Sequence, residues 1–257
     1  MQKRENMNLV NCSQYGHFIL MGITLIAIIV ALKKTENKNA KEVHNIIKKL
    51  TIIIWTLEII KIIISIAQNS IYALNTYLPL YYCSIFLYAG LMSSFGKGKI
   101  KRIGDVFLAT GGIIGGIVFI IFPTTSLPTY PAFHFFSIHS FFFHGTMIYL
   151  GLLMNKTGYI TIKLEDIKYF CGLVGTLCII ALFINEKYNM NFMFISQNFP
   201  IAPIEILYKL TNGTVWFNII MSVVQMTAPF YIGYYLNKKY NKCKNENLNN
   251  EEKLLTC

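Results

Sequence analysis

Seven stretches of the chain, at about 17–32, 50–68, 78–96, 103–123, 133–154, 169–185 and 213–236, carry almost no charge. Each runs for about 17 to 25 residues, enough for a helix rising about 1.5 Å per residue to cross roughly 30 Å of hydrocarbon. Lipid offers no partner to a backbone N–H or C=O, so continuous apolar runs of this length have to bond within themselves, as helices do. The expected fold is all-α: a polytopic membrane protein, a seven-transmembrane-helix bundle forming one domain over 1–240, with a disordered tail at 241–257. Composition agrees, since 54% hydrophobic against 14% charged residues leaves too little polar surface to coat a soluble globule.

A net charge of +11 raises nucleic acid as a partner, and the position of the charges removes it. Of the 23 basic residues, 18 follow the first, third and fifth stretches or lie in the tail. The other loops hold Lys3, Arg4, Lys187 and Lys209, and Lys61 alone lies inside a span. This alternation puts the N-terminus outside and the C-terminus in the cytoplasm. The first stretch follows Lys3 and Arg4 but ends in ALKK rather than a small-residue cleavage site, so it is read as a retained span and not a signal peptide. The abundance of Lys, Asn and Ile resembles an AT-rich bacterial genome, which points to a bacterial plasma membrane and makes the sequons at Asn11 and Asn212 irrelevant.

Six cysteines show no C-x-x-C spacing, so neither a disulfide framework nor a structural zinc site is expected. Cys171 and Cys178 fall in the sixth span, Cys243 and Cys257 in the tail, and Cys12 and Cys83 near the outer face. The glycines of GGIIGG at 111–116 read as small-residue helix packing. Residues 186–212 are too long for a turn and too apolar for a solvated loop, which suggests a cap or re-entrant segment at the outer interface.

Ionisable groups in the spans ask for a reason, because a charge near the bilayer centre costs about 2.5–3.5 kcal/mol. Glu58 lies mid-way along the second span, with His139 and His144 in the fifth; Asp105 is near the inner end of the fourth, within reach of water or Lys101. Counting about 1.5 Å per residue from the outer end puts Cys83 and His139 both roughly 8–9 Å deep, and His144 and Glu58 both near the midplane. Each pair is therefore able to touch. The histidines are five apart, about 140° around a helix, so they do not share a ligand. Structural readings stand beside these: Cys83 as a small packing residue, Glu58 neutralised by Lys61 three residues on, and His134 as part of an aromatic belt.

The stretch LPLYYCSIFL resembles the Leu-Pro-Leu-…-Cys signature of the YwaF family of bacterial integral membrane proteins. A eukaryotic relative of that family, transmembrane protein 164, is an acyltransferase remodelling ether phospholipids. FHFFSIHSFFFHG resembles the family's aromatic block ending in His-Gly, and NMNFMFISQNFP followed by TVWF resembles its Asn-x-x-Phe block. Glu58 stands where members commonly have an acid. The resemblance implies a nucleophilic Cys83, with His144 as general base and His139 in reserve. One departure is Tyr81, where many members have histidine.

The chemistry this implies is a cysteine-dependent acyl transfer or acyl hydrolysis on phospholipid-type esters through an acyl-thioester. Glu58 would orient the deeper imidazole, Asn191 and Asn218 would offer amide donors to the oxyanion, and Tyr81 and Tyr82 would contact substrate. The partners are membrane lipids, a phospholipid and a lysolipid; no cofactor is needed, because thioester exchange between lipids uses none. Two other classes remain: a seven-span receptor or sensor binding a lipid or small molecule without catalysis, and a proton-coupled transporter relaying through Glu58 and the histidines. The lack of inverted repeats and paired broken helices weighs against the transporter.

Overall fold

The computed structural model describes residues 2–68, 77–122, 130–199 and 201–255, with side chains described between 16 and 240 within those ranges. Most of the two outer loops expected around 68–77 and 122–132 lies outside the described residues, as do the side chains of Cys12, Cys243 and Cys257. Among the described residues every regular element is a helix: α1 (Gln2–Thr35), α2 (Ala40–Gln68), α3 (Ile85–Phe95), α4 (Gly98–Ala109), α5 (Gly111–Ile121), α6 (Phe135–Lys156), α7 (Ile167–Tyr188), α8 (Ala202–Leu210) and α9 (Val215–Leu255). Short 3-10 turns at Tyr82–Ser84, Leu164–Asp166 and Phe192–Phe194 lead into α3, lead into α7 and follow α7.

Six helical segments are long and apolar enough to cross a membrane: Gly16–Thr35, Ala40–Gln68, Gly98–Ile121, Phe135–Lys156, Leu164–Tyr188 and Val215–Tyr240. Tyr82–Phe95 is apolar but shorter. The chain is thus a multi-pass helical membrane protein. Its centre is α6, packed on α5, α1, α4 and α2. The apolar window of α4 and α5 is 78% buried and that of α6 72%, against 17% for α1, so the former make the core and α1 shows its side chains to lipid. Close helix approach in lipid depends on small residues. A Cβ on Gly116 would lie 2.8 Å from the His144 carbonyl, and one on Gly151 2.6 Å from the Leu108 carbonyl.

The expected spans are altered in two places. Helix begins at Tyr82 and not at 78: Pro79 keeps Leu78 out of the helical region, and Tyr81 is extended (φ −83°, ψ 159°). The stretch expected as one helix at 103–123 is broken at Thr110 (φ −127°, ψ −83°), just ahead of two glycines. Broken backbone at this depth must find partners. Here Asn155 Nδ2 donates to the Ala109 carbonyl at 2.9 Å, and Asn237 Nδ2 donates to Asn155 Oδ1 at 2.5 Å. At the other end of the chain, α9 continues as helix to Leu255, past the point where a disordered tail is expected.

After α7 the chain turns back over the bundle. Asn189 ends the helix in the left-handed region (φ 53°), and Met193 and Phe194 follow with φ of 60° and 54°. Asn185 secures the turn from both sides: its Oδ1 accepts from Phe192 N–H at 2.7 Å and its Nδ2 donates to the Phe192 carbonyl at 3.0 Å. Gln225 Nε2, from α9, donates to the Met193 carbonyl at 2.6 Å. Phe192, Met193 and Ile195 are fully buried, which makes this segment the cap anticipated for 186–212.

Candidate active site

The approach to Cys83 is extended: Pro79 keeps Leu78 out of the helical region, and Tyr81 has φ −83° and ψ 159°. The Tyr81 carbonyl receives Ser84 N–H at 2.9 Å and the 3-10 turn starts there. Tyr88, farther along α3, donates its hydroxyl to the Pro79 carbonyl at 3.2 Å and ties the approach to the helix it feeds. Cys83 therefore sits at the head of a helix and not several residues inside one. The first amides of a helix have no intrahelical acceptor and give its start a partial positive charge. The thiol is half-buried and donates a long contact, 3.9 Å, to the Gly115 carbonyl of α5.

His144 rests on the same part of α5 from the other side. Its carbonyl lies against Gly116, and its ring stacks on Phe119 with centroids 3.6 Å apart and planes 8° from parallel. Its Nδ1 is 2.7 Å from the Ser140 carbonyl. A carbonyl only accepts, so the proton is on Nδ1 and Nε2 keeps its lone pair. Among the described residues no hydrogen bond joins either His139 or His144 to Cys83.

Glu58 turns to the other histidine. Its Oε2 lies 3.6 Å from His139 Nε2, while Oε1 accepts from Lys61 at 2.5 Å. This corrects the expected pairing of the acid with His144. Five residues of helix turn the two rings about 140° apart, so α6 gives His139 to α2 and His144 to α5. His139 Nε2 is buried without a hydrogen bond, since 3.6 Å is beyond hydrogen-bond reach.

The remaining candidates divide. Tyr82 lies in the groove left by Gly111 and Gly115; a Cβ on Gly111 would be 2.6 Å from its hydroxyl, which is buried and has no partner among the described residues. Tyr81 packs under the cap, its ring 5.4 Å from Phe192 and 5.1 Å from Phe194. Asn191 is committed to the cap: its Oδ1 takes the Ser196 and Gln197 amides and its Nδ2 donates to the Gln197 carbonyl, so it shapes the segment between α7 and α8. Asn218 is half-buried near the start of α9, with no hydrogen bond to the Cys83 turn among the described residues.

Asp105 is held by Lys101 and Ser93, each at 2.5 Å, which accounts for its charge structurally. His134 caps α6, its Nδ1 accepting Phe136 N–H at 3.3 Å, with its ring stacked on Tyr130. His17 escaped the sequence reading; its Nδ1 is buried and unpaired, and its ring lies 5.9 Å from Phe141, next to the Phe119 on which His144 stacks. Its position at the first residue of the first span was the available signal. Among the described residues no three His, Cys, Asp or Glu side chains gather where a metal ion would sit.

No curated protein and no solved structure matches the chain. A family model does, over residues 12–234, and its description is the TMEM164 family.

Proposed function

The chain belongs to the TMEM164 family, and from that premise we propose that it is a membrane-embedded acyltransferase or acyl hydrolase acting on phospholipid-type esters through Cys83. The observation that carries the reading is the seat of that thiol at the head of α3, against Gly115 in the small-residue groove of α5. His144 supports it with an Nε2 left as acceptor by the bond from Nδ1 to Ser140. Tyr82 adds an unpaired hydroxyl beside the same glycine groove.

In the proposed sequence His144 Nε2 takes the thiol proton and the sulfur attacks the ester carbonyl. The C–O bond breaks, the leaving lysolipid oxygen takes the proton from His144, and the acyl group remains on Cys83 as a thioester. An acceptor hydroxyl, from a second lysolipid or from water, then gives its proton to His144 and attacks. The C–S bond breaks and the proton returns to sulfur. The Tyr82 hydroxyl, buried beside the glycine groove, would stabilise the oxyanion in both halves. His139, 3.6 Å from Glu58, faces α2 and takes no part in this sequence. A YwaF-type bacterial origin, an outward N-terminus and a plasma-membrane location belong to the same proposal.

The test is the intact mass of purified protein after incubation with a defined phospholipid, run beside Cys83→Ala and with hydroxylamine. An added acyl mass that hydroxylamine removes and the variant lacks supports the thioester; no adduct on active protein overturns it. One observation favours a second reading. The thiol contacts a carbonyl and no imidazole, as a packing group would in a lipid-binding receptor; equal lipid retention by Cys83→Ala without turnover would support that reading.

A further inference from the structure

A cavity of about 470 Å³ opens at the end of the bundle away from Cys83, between the start of α4, the turn after α6 and the start of α7. The 11 residues of α3 separate the two places, roughly 16 Å of helix. Arg102, Tyr159, Thr161, Lys163, Lys168 and Tyr169 contribute to its lining, along with Glu165 and Asp166.

The charges do not cancel locally. Asp166 is buried and already satisfied: Arg102 Nε and Nη2 reach its two oxygens at 3.0 and 2.5 Å, and Lys163 N–H donates to it at 2.7 Å. The Arg102 Nη2 also donates to the Thr161 carbonyl, at 2.8 Å. These bonds fix the guanidinium in the wall and leave its Nη1 hydrogens for something else. Glu165 is exposed, 3.7 Å from Lys163. Lys168 is also exposed, its ammonium 5.3 Å from the centre of the Tyr169 ring and paired with no carboxylate among the described residues. The opening thus shows two lysines and part of a guanidinium against one carboxylate.

Tyr159 stiffens the wall without competing for the space. Lys101 donates to its hydroxyl at 2.8 Å, and the hydroxyl in turn lies 3.1 Å from His44 Nδ1. Burial raises the pKa of this phenol, so it stays neutral.

A cationic recess with hydroxyls at the end of membrane spans is suited to a phosphate group. The basic-loop bias assigns this end to the cytoplasm, where anionic lipids concentrate, and exposed Leu164 lies beside it. We propose that this cavity binds a phosphate monoester, presented either by an anionic lipid headgroup or by a soluble phosphate ester. The proposal is independent of the chemistry at Cys83.

The experiment uses the full chain in detergent micelles, with retained lipid counted by native mass spectrometry. The probes are phosphatidic acid, phosphatidylcholine and, as competitor, glycerol 3-phosphate. Lys163→Gln with Lys168→Gln removes the two exposed cations at the cavity; Lys41→Gln with Lys49→Gln removes the same charge from the same end of the bundle but outside it. The expected result is phosphatidic acid held roughly tenfold better than phosphatidylcholine by the native chain and the outer pair, with the preference gone in the cavity pair. Displacement by glycerol 3-phosphate identifies a soluble ester as sufficient, and retention in its presence identifies the lipid. Equal retention of both lipids, or an equal loss in the outer pair, overturns the proposal in favour of diffuse surface charge.

Discussion

Replacing Cys83 by Ser keeps nearly the same volume beside Gly115 while exchanging a thiol for a much weaker acid. The Cys83→Ser protein is therefore expected to melt within a few degrees of the native one and to carry no hydroxylamine-labile acyl mass, which differential scanning fluorimetry and intact mass would check together. The histidines should separate in the same assay. A general base contributes about 10²- to 10⁴-fold, so His144→Ala is expected to slow acyl-enzyme formation by at least about 10²-fold. His139→Ala, which removes a neighbour of Glu58 but leaves the Lys61 pair at 2.5 Å, is expected to cost less than about tenfold; the reverse order would make His139 the base. The individual residues were legible in the sequence because a bilayer makes each polar group conspicuous. Their partners were not. Depth counting gave a height for each residue and no direction around its helix, and direction is what sends His139 to Glu58 and His144 to Ser140.

Helix boundaries carry as much of the site as the side chains do. Pro79→Ala restores an amide hydrogen and lifts the restriction on the residue before it. Leu78 is then free to turn helical, so helix can run on through the link ahead of Tyr82 and leave the thiol inside a longer helix. The expected outcome is loss of acyl-enzyme with little loss of stability, measured by the same two assays. The glycine face of α5 should respond in the opposite way. A side chain at Gly116 meets the His144 carbonyl at 2.8 Å and the Ile148 side chain at 2.7 Å, so Gly116→Val should destabilise the protein by about 1–3 kcal/mol, with activity falling because α6 is pushed away. A thermal or denaturant titration in micelles reads this directly. Apolar run length and GGIIGG made the helices and their tight packing readable. The break at Thr110 was hidden, since the groups that satisfy it, Asn155 and Asn237, lie far along the chain from Ala109 and from each other.

Taken together, the loop charges predict an orientation that two single cysteines can check. In a background with Cys12, Cys243 and Cys257 changed to Ser, Leu210→Cys at the exposed end of α8 should react with a membrane-impermeant maleimide on intact cells, and Thr161→Cys by the cavity only after permeabilisation. Labelling in the reverse pattern would invert the bundle. That the chain is a bundle of apolar helices followed from hydropathy; the folding back of 189–197 did not, because its three left-handed residues and its seal on α9 depend on contacts made last. That dependence has a consequence for synthesis. A chain emerges from the ribosome in order, and Gln225, which fastens the Met193 carbonyl, lies in its final span. Until that span has been delivered to the bilayer, Tyr81 and the turn that follows it have an unfastened cover. A nascent chain holds its thiol before it holds its roof, and only the completed protein can keep both.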